Sequence, residues 1–140
     1  ERLVSAINNT DVRPYLIHPR SEDEAKAAIE LDIPVVVVLA MRDVFELARK
    51  YGARIGVDSI YKLNNMKWPV WAIVAEDNNG HGIPLGFILA SSGTASTLSD
   101  GLRRFFEHVR QFDGLKNWTP EVTIDKDSAE RKACAQLDLR

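Results

Sequence analysis

The order of the segments between residues 54 and 124 constrains the fold more than any other feature of this sequence. Residues 54–62, 70–77 and 83–90 each have the composition of a β-strand, and segments rich in turn-forming residues join them. The densest turn lies at residues 77–82, where two asparagines and two glycines surround His81. Because links this short pair consecutive strands side by side, the three segments predict an antiparallel meander.

A long amphipathic helix separates this meander from a fourth strand. Between residues 94 and 113, apolar side chains recur at steps of three and four positions: Leu98, Leu102, Phe105, Phe106, Val109 and Phe112. Residues 121–125 then form a short strand. A helical crossover returns the chain parallel to the sheet it left, so we expect this strand to lie beside and parallel to strand 54–62. The predicted fold class is α/β, with a mixed sheet and flanking helices.

The first part of the chain is less regular. Ser21 and Glu24 have the spacing of a capping box, which predicts a helix through Leu31. Four consecutive valines within residues 34–40 are typical of a strand that is buried on both faces. Because the first 20 residues show no clear pattern, we divide the chain into an N-terminal helix and strand region, 1–40, and a second region, 41–140.

The second region opens with a helix. Apolar residues within 41–51 fall at helical spacing, and Gly52 occupies the position of a C-cap.

Composition narrows the class of protein. The 140 residues are 45% hydrophobic and 27% charged, which is typical of a globular domain. The net charge of −2 counts against a free-standing nucleic-acid-binding protein, so we expect weak or no DNA binding by this chain alone. The longest apolar stretch, residues 33–41, is too short to span a bilayer, and the first residues lack the pattern of a signal peptide. With Cys134 as its single cysteine, the chain is expected to be intracellular.

Asp58 is the first candidate functional residue. It lies in an otherwise apolar strand, where a carboxylate is costly unless a partner or a metal ion compensates its charge. One interpretation is structural: Asp58 ends its strand and bonds backbone amides or the nearby Lys62. The other interpretation is that it binds a metal ion.

Asp125 is the second candidate. It follows the strand segment that ends at Ile124 and precedes a helix predicted from Ser128 onward. Asp125 could cap that helix, but Asp127 and Glu130 have the spacing of a capping box and fit this role better. Asp125 is then free to point out of the end of the strand.

The two aspartates together predict a specific kind of site. Asp58 on the first strand of a meander and Asp125 on the strand after the helix have the carboxylate arrangement of an RNase H-like fold. Phosphoryl transfer with two divalent ions requires hard oxygen ligands on rigid elements, with the ions roughly 3.5–4 Å apart. Residues of this type on these two strands therefore suggest a site for Mg²⁺ or Mn²⁺.

The sequence resembles the transposases of Mutator-like elements (MULE), over roughly residues 40–137. In that family an acid is followed by a small hydroxyl residue and then by Tyr/His-Lys-x-Asn, which matches Asp58-Ser-Ile-Tyr-Lys-Leu-Asn64. Trp68-Pro69, residues 72–84 and the Thr-x-Asp-x-Asp segment 123–127 are similar to later parts of the same pattern, in the same order.

The resemblance implies a metal-dependent DNA transposase with a DDE/D triad, acting in the nucleus if the source is eukaryotic. Asp58 and Asp125 would be the first two acids, and would bind the two Mg²⁺ or Mn²⁺ ions in the intact enzyme. The third acid lies further downstream in that family than Arg140, so region 41–140 would be the N-terminal part of the catalytic domain. DNA would be the partner of the intact transposase, and an oligomer is possible. The alternative is a domesticated or truncated derivative that serves as an interaction module without catalysis.

Other polar residues receive structural interpretations. His18, His81, His108 and Cys134 lack the spacing of zinc ligands. The basic residues Arg103, Arg104, Arg110 and Lys116 fit the solvated surface of a helix better than a DNA-binding face. The tryptophans Trp68, Trp71 and Trp118 are expected in the core or at its rim.

Overall fold

A computed structural model describes residues 14–60 and 68–124 of the chain. In chain order the elements are β1 (Tyr15–His18), α1 (Glu22–Glu30), β2 (Val36–Ala40), α2 (Val44–Tyr51), β3 (Arg54–Ile60), β4 (Val70–Glu76), β5 (Gly82–Ala90), α3 (Ala95–Arg110) and β6 (Glu121–Ile124). None of the helices within these residues is long and apolar enough to cross a membrane. Residues 1–13, 61–67 and 125–140, including the predicted helix from Ser128, lie outside the description.

The described strands form one six-stranded sheet, in the order β1-β2-β5-β4-β3-β6. β3, β4 and β5 pair antiparallel as a meander, and β6 pairs parallel with β3. Both predictions are thereby confirmed, and so is the α/β class with its mixed sheet. The parallel pairing follows from α3, whose 16 residues carry the chain from β5 back to the far edge of the sheet.

The N-terminal strands extend the same sheet at its other edge. β2 pairs antiparallel with β5, and β1 pairs antiparallel with β2. A division of the chain at residue 40 thus separates β1 and β2 from a sheet to which they are hydrogen-bonded. The periodicity of residues 15–18 is too short to signal a strand, whereas the pairing with β2 stabilises it.

Capping explains where α1 begins. The Ser21 hydroxyl accepts a hydrogen bond from the Glu24 amide at 3.2 Å, as its spacing predicts. The Glu24 carboxylate accepts from the amide of Arg20 at 2.9 Å, one residue before the cap rather than from Ser21 itself. α1 buries no side chain, so this local capping contributes much of what holds it in place.

The core lies between one face of the sheet and helices α2 and α3. Its members are buried apolar residues from both layers, including Val38, Ile73, Ala48, Leu102 and Phe105. Helix α3 approaches the sheet closely because it carries a glycine at position 101. The core therefore covers one face of the sheet and holds it in place. Asp58 lies on the other face.

Candidate metal site on the sheet face

Asp58 lies inside β3 rather than at its end. Its strand neighbours Ile55 and Val57 point into the core and are only 2% and 1% exposed. Because side chains alternate along a strand, Asp58 points to the opposite face, where it is exposed to solvent. Its register partner on β4 is Ala72. The alternation that buries the apolar residues of β3 thus presents this acid to solvent.

The structural interpretation of Asp58 finds no support among the described residues. Within residues 14–60 and 68–124, no hydrogen bond or ion pair of the Asp58 carboxylate is present. The proposed alternative partner, Lys62, lies outside these residues. Asp58 also does not end its strand, which continues to Ile60.

An open groove of about 360 Å³ runs along the sheet face beside Asp58. Strands β3, β4 and β6 and the turn between β4 and β5 all contribute to its lining, with Arg54, Asp58, Glu76, Gly80, Gly82, Glu121 and Thr123 among its residues. At the end remote from Asp58, the Arg54 guanidinium lies 3.5 Å from the Glu121 carboxylate. One arginine and three carboxylates make the groove acidic, which suits a cation better than an anion.

Asp125 lies outside the described residues, so its position relative to Asp58 is not part of the structure. The parallel ladder beside it is described as far as the pair Val57 and Ile124. Asp58 and Asp125 are the residues that follow these two partners in the sequence. Within the described residues, no group of three or more acidic, histidine or cysteine side chains is arranged to hold a metal ion.

The register of β6 is anchored by a buried tryptophan. The Trp118 indole nitrogen donates a hydrogen bond of 2.8 Å to the carbonyl oxygen of Gly52, just before β3. The Arg110 guanidinium in turn donates to the Trp118 carbonyl oxygen at 2.9 Å, and the Glu121 amide bonds the Ala53 carbonyl oxygen. These bonds fix the point at which β6 joins β3, and so the register of the residues that follow.

Gly52 is required at this anchor for a steric reason. A Cβ atom there would lie 2.2 Å from the Ala48 carbonyl oxygen in the last turn of α2. The prediction that Gly52 ends α2 is confirmed, since its amide bonds the same carbonyl oxygen. The sequence pattern did not predict the bond to Trp118, because the two residues are 66 positions apart.

The turn between β4 and β5 is held by Asp77. Its carboxylate accepts hydrogen bonds from the amides of Asn79 and His81, both at 2.8 Å, and Gly80 adopts a positive φ of 80°. The predicted hairpin turn is confirmed, and His81 Nδ1 lies 3.5 Å from the Asp77 carboxylate. The Asp77 carboxylate is therefore engaged by backbone amides of the turn, whereas the Asp58 carboxylate makes no hydrogen bond with a described residue.

The sheet order, the parallel β3–β6 pair and the covering helices together define an RNase H-like domain. The chain belongs to the family described as "Zinc finger SWIM domain-containing protein 1/3, RNaseH-like domain", whose model matches residues 22–137. The match includes α1 and β2 as well as the segments around both candidate aspartates. No curated protein and no solved structure matched the chain.

Proposed function

We propose that this domain belongs to the transposase type of RNase H-like proteins, and that Asp58 and Asp125 bind Mg²⁺ or Mn²⁺ for cleavage of DNA phosphodiesters. The sequence motifs around Asp58 and Asp125 resemble those of the transposases of Mutator-like elements. The intact protein would then cut and join DNA ends. This chain would supply two of the acids, Asp58 and Asp125.

The observation that carries this proposal is the Asp58 carboxylate. It is exposed on a strand whose inward-facing Ile55 and Val57 are buried, and it lines an acidic groove without an ion-pair partner among the described residues. A rigid strand that holds an accessible, unneutralised oxygen donor fits a divalent cation, since Mg²⁺ and Mn²⁺ prefer carboxylate ligands. A purely structural aspartate would be expected to bond backbone amides, as Asp77 does.

The parallel ladder supports the pairing of the two acids. Val57 and Ile124 are register partners, and the anchor at Trp118 fixes that register. If the ladder continues by one residue, Asp58 and Asp125 become direct neighbours on adjacent strands. Divalent ions bound there would activate an attacking oxygen and stabilise the leaving oxygen of a phosphodiester.

Calorimetric titration with Mn²⁺ tests the proposal. We expect the parent chain to bind Mn²⁺, and Asp58→Ala and Asp125→Ala each to weaken binding by at least about 10-fold, because each removes a ligand. Asp113→Ala is the matched control, because its side chain is 97% exposed and does not line the groove beside Asp58. Circular dichroism confirms that each variant is folded.

The same titration distinguishes the alternative function. A folded chain whose Mn²⁺ affinity is unchanged by Asp58→Ala and Asp125→Ala would contradict the metal site. It would favour a domesticated derivative, in which the fold serves only as an interaction module.

A further inference from the structure

A second polar pocket lies at the opposite edge of the sheet from β6. It has a volume of about 300 Å³ and is formed between β1 and α3. Its lining includes the basic or imidazole side chains of His18, Arg20, Arg104 and His108, with Glu107 as its acidic residue. Five strand spacings separate β1 from β6, roughly 24 Å, so this pocket is distinct from the groove beside Asp58.

The acids near this pocket are already paired. The Asp100 carboxylate accepts from Arg103 at 2.6 Å and from Arg104 Nε at 3.0 Å. Arg103 also lies 3.6 Å from Glu107. Asp100 and Glu107 are therefore both engaged by arginines.

Glu24, on α1, is engaged as well. Its carboxylate accepts from the Arg20 amide and lies 3.5 Å from His18 Nδ1.

Two arginines keep unused donors. Arg104 bonds Asp100 through Nε, and its two terminal nitrogens make no hydrogen bond within the described part of the chain. The Arg20 side chain makes no ion pair with any described residue. A planar fork of terminal guanidinium nitrogens matches the oxygens of a phosphate group, which accepts two parallel hydrogen bonds.

We propose that this pocket binds a phosphate group, held by Arg20 and Arg104 with His18 as a further donor. The volume has room for a phosphate ester, such as a nucleotide or a phosphodiester of a nucleic-acid backbone. The proposal goes beyond the metal site and does not depend on it.

The electrostatics of His18 agree with this assignment. Burial lowers the pKa of His18, and the positive charge of Arg104 lowers it further. Arg20 acts in the same direction, while Glu24 and Asp100 oppose it. A bound phosphate would compensate these positive charges and would therefore raise the pKa of His18.

NMR of the imidazole side chains, combined with ligand titration, tests the proposal on the folded 140-residue chain. The probes are inorganic phosphate, adenosine monophosphate and a short single-stranded DNA oligonucleotide lacking terminal phosphates. We expect a bound probe to shift the His18 resonances and to raise the pKa of His18. His81 serves as an internal control, because its side chain is 77% exposed and belongs to the distant β4–β5 turn.

Arginine variants provide the matched test. Arg104→Gln and Arg20→Gln should each weaken binding by about 10-fold, since each removes a charge-assisted hydrogen bond. Arg49→Gln removes the same charge from an exposed residue of α2 that does not line the pocket, so its effect should stay below about twofold. Arg104→Lys keeps the charge and tests the fork geometry if Arg104→Gln fails to fold.

The outcomes separate the ligand sources. Binding of phosphate or the mononucleotide at His18 supports a free phosphate ligand. Binding of the oligonucleotide alone supports a nucleic-acid backbone. No shift at His18 with any probe, or equal losses in Arg49→Gln and Arg104→Gln, would overturn the proposal.

Discussion

Tyr15 and His108 join the first strand of the sheet to its longest helix. The Tyr15 hydroxyl lies 2.6 Å from His108 Nε2. The Phe45 ring stacks on the imidazole, with 5.3 Å between the ring centroids. Burial lowers the pKa of His108 because these surroundings disfavour the charged imidazolium.

This burial predicts how stability depends on pH. The unfolded chain protonates His108 near the ordinary imidazole pKa of about 6.5, whereas the folded chain takes up the proton only at lower pH. The free energy of unfolding should therefore fall as the pH drops below about 6.5, and level off below the folded-state pKa. Urea denaturation at pH 7.5 and 5.5 measures the change. His18, whose pKa burial also lowers, contributes in the same direction.

Histidine variants separate these contributions. His108→Phe should reduce the loss of stability at pH 5.5, because it removes a group whose pKa is lowered by burial in the folded chain. The idea fails if His108→Phe and the parent chain lose the same stability between the two pH values.

Prediction from sequence worked for single residues only where the signal is local. The Ser21 cap and the Gly52 C-cap depend on neighbours within four positions. Tyr15 and His108 are 93 positions apart, and neither residue type marks such a partner. Asp58 could be singled out because a charge interrupts an apolar strand, although its exposure depends on which face the helices cover.

At the scale of elements, α3 is positioned by its contact with β5. Gly101 lies on the buried side of α3, and a Cβ atom there would meet Ile88 Cγ2 at 2.6 Å. In an exposed helix, replacing glycine with alanine stabilises by about 1 kcal/mol. Here the close approach to the sheet should outweigh that gain.

We therefore expect Gly101→Ala to lower the free energy of unfolding, by about 1–3 kcal/mol, because the helix must move away from Ile88. Ser96→Ala is the control, since Ser96 is an exposed residue of the same helix, and its effect should stay within about 0.5 kcal/mol. Chemical denaturation measures both variants. A stabilising Gly101→Ala would contradict this prediction, because it would show that a Cβ atom at position 101 fits between α3 and Ile88.

The elements differ in how well the sequence predicts them. The meander, α3 and β6 follow from turn spacing and a sustained helical period. Residues 34–40 correctly predict a buried strand, but its pairing with β5 is a long-range contact that no local pattern encodes. The edge position of β1 likewise depends on its pairing with β2. Because local patterns do not encode these pairings, the sequence alone suggests a division at residue 40.

At the scale of the whole molecule, the domain combines an acidic groove near β6 with a basic pocket at β1. The net charge of −2 leaves little general attraction for DNA, which depends on the release of counterions from phosphates. Local sites, rather than overall charge, must therefore provide any contact with phosphodiesters.

Because the net charge gives little attraction for DNA, we expect that the 140-residue chain will not nick supercoiled plasmid in Mn²⁺ at a useful rate. In the proposed metal site, Asp58 and Asp125 by themselves would hold a second ion poorly, so the attacking and leaving oxygens would not both be stabilised. Gel analysis of plasmid incubated with the parent chain and with the double variant Asp58→Ala, Asp125→Ala provides the measurement. Nicking by the parent but not by the double variant would show that the two acids suffice.

A crystal structure of the chain with Mn²⁺, in which anomalous scattering locates the ion, is the direct test of a metal site shared by Asp58 and Asp125. We expect an anomalous peak in contact with both residues, with their carboxyl groups roughly 4–8 Å apart. Carboxyl groups more than about 12 Å apart in the folded chain could not share an ion. That separation, or a Mn²⁺ ion bound elsewhere with none at Asp58, would contradict the shared metal site.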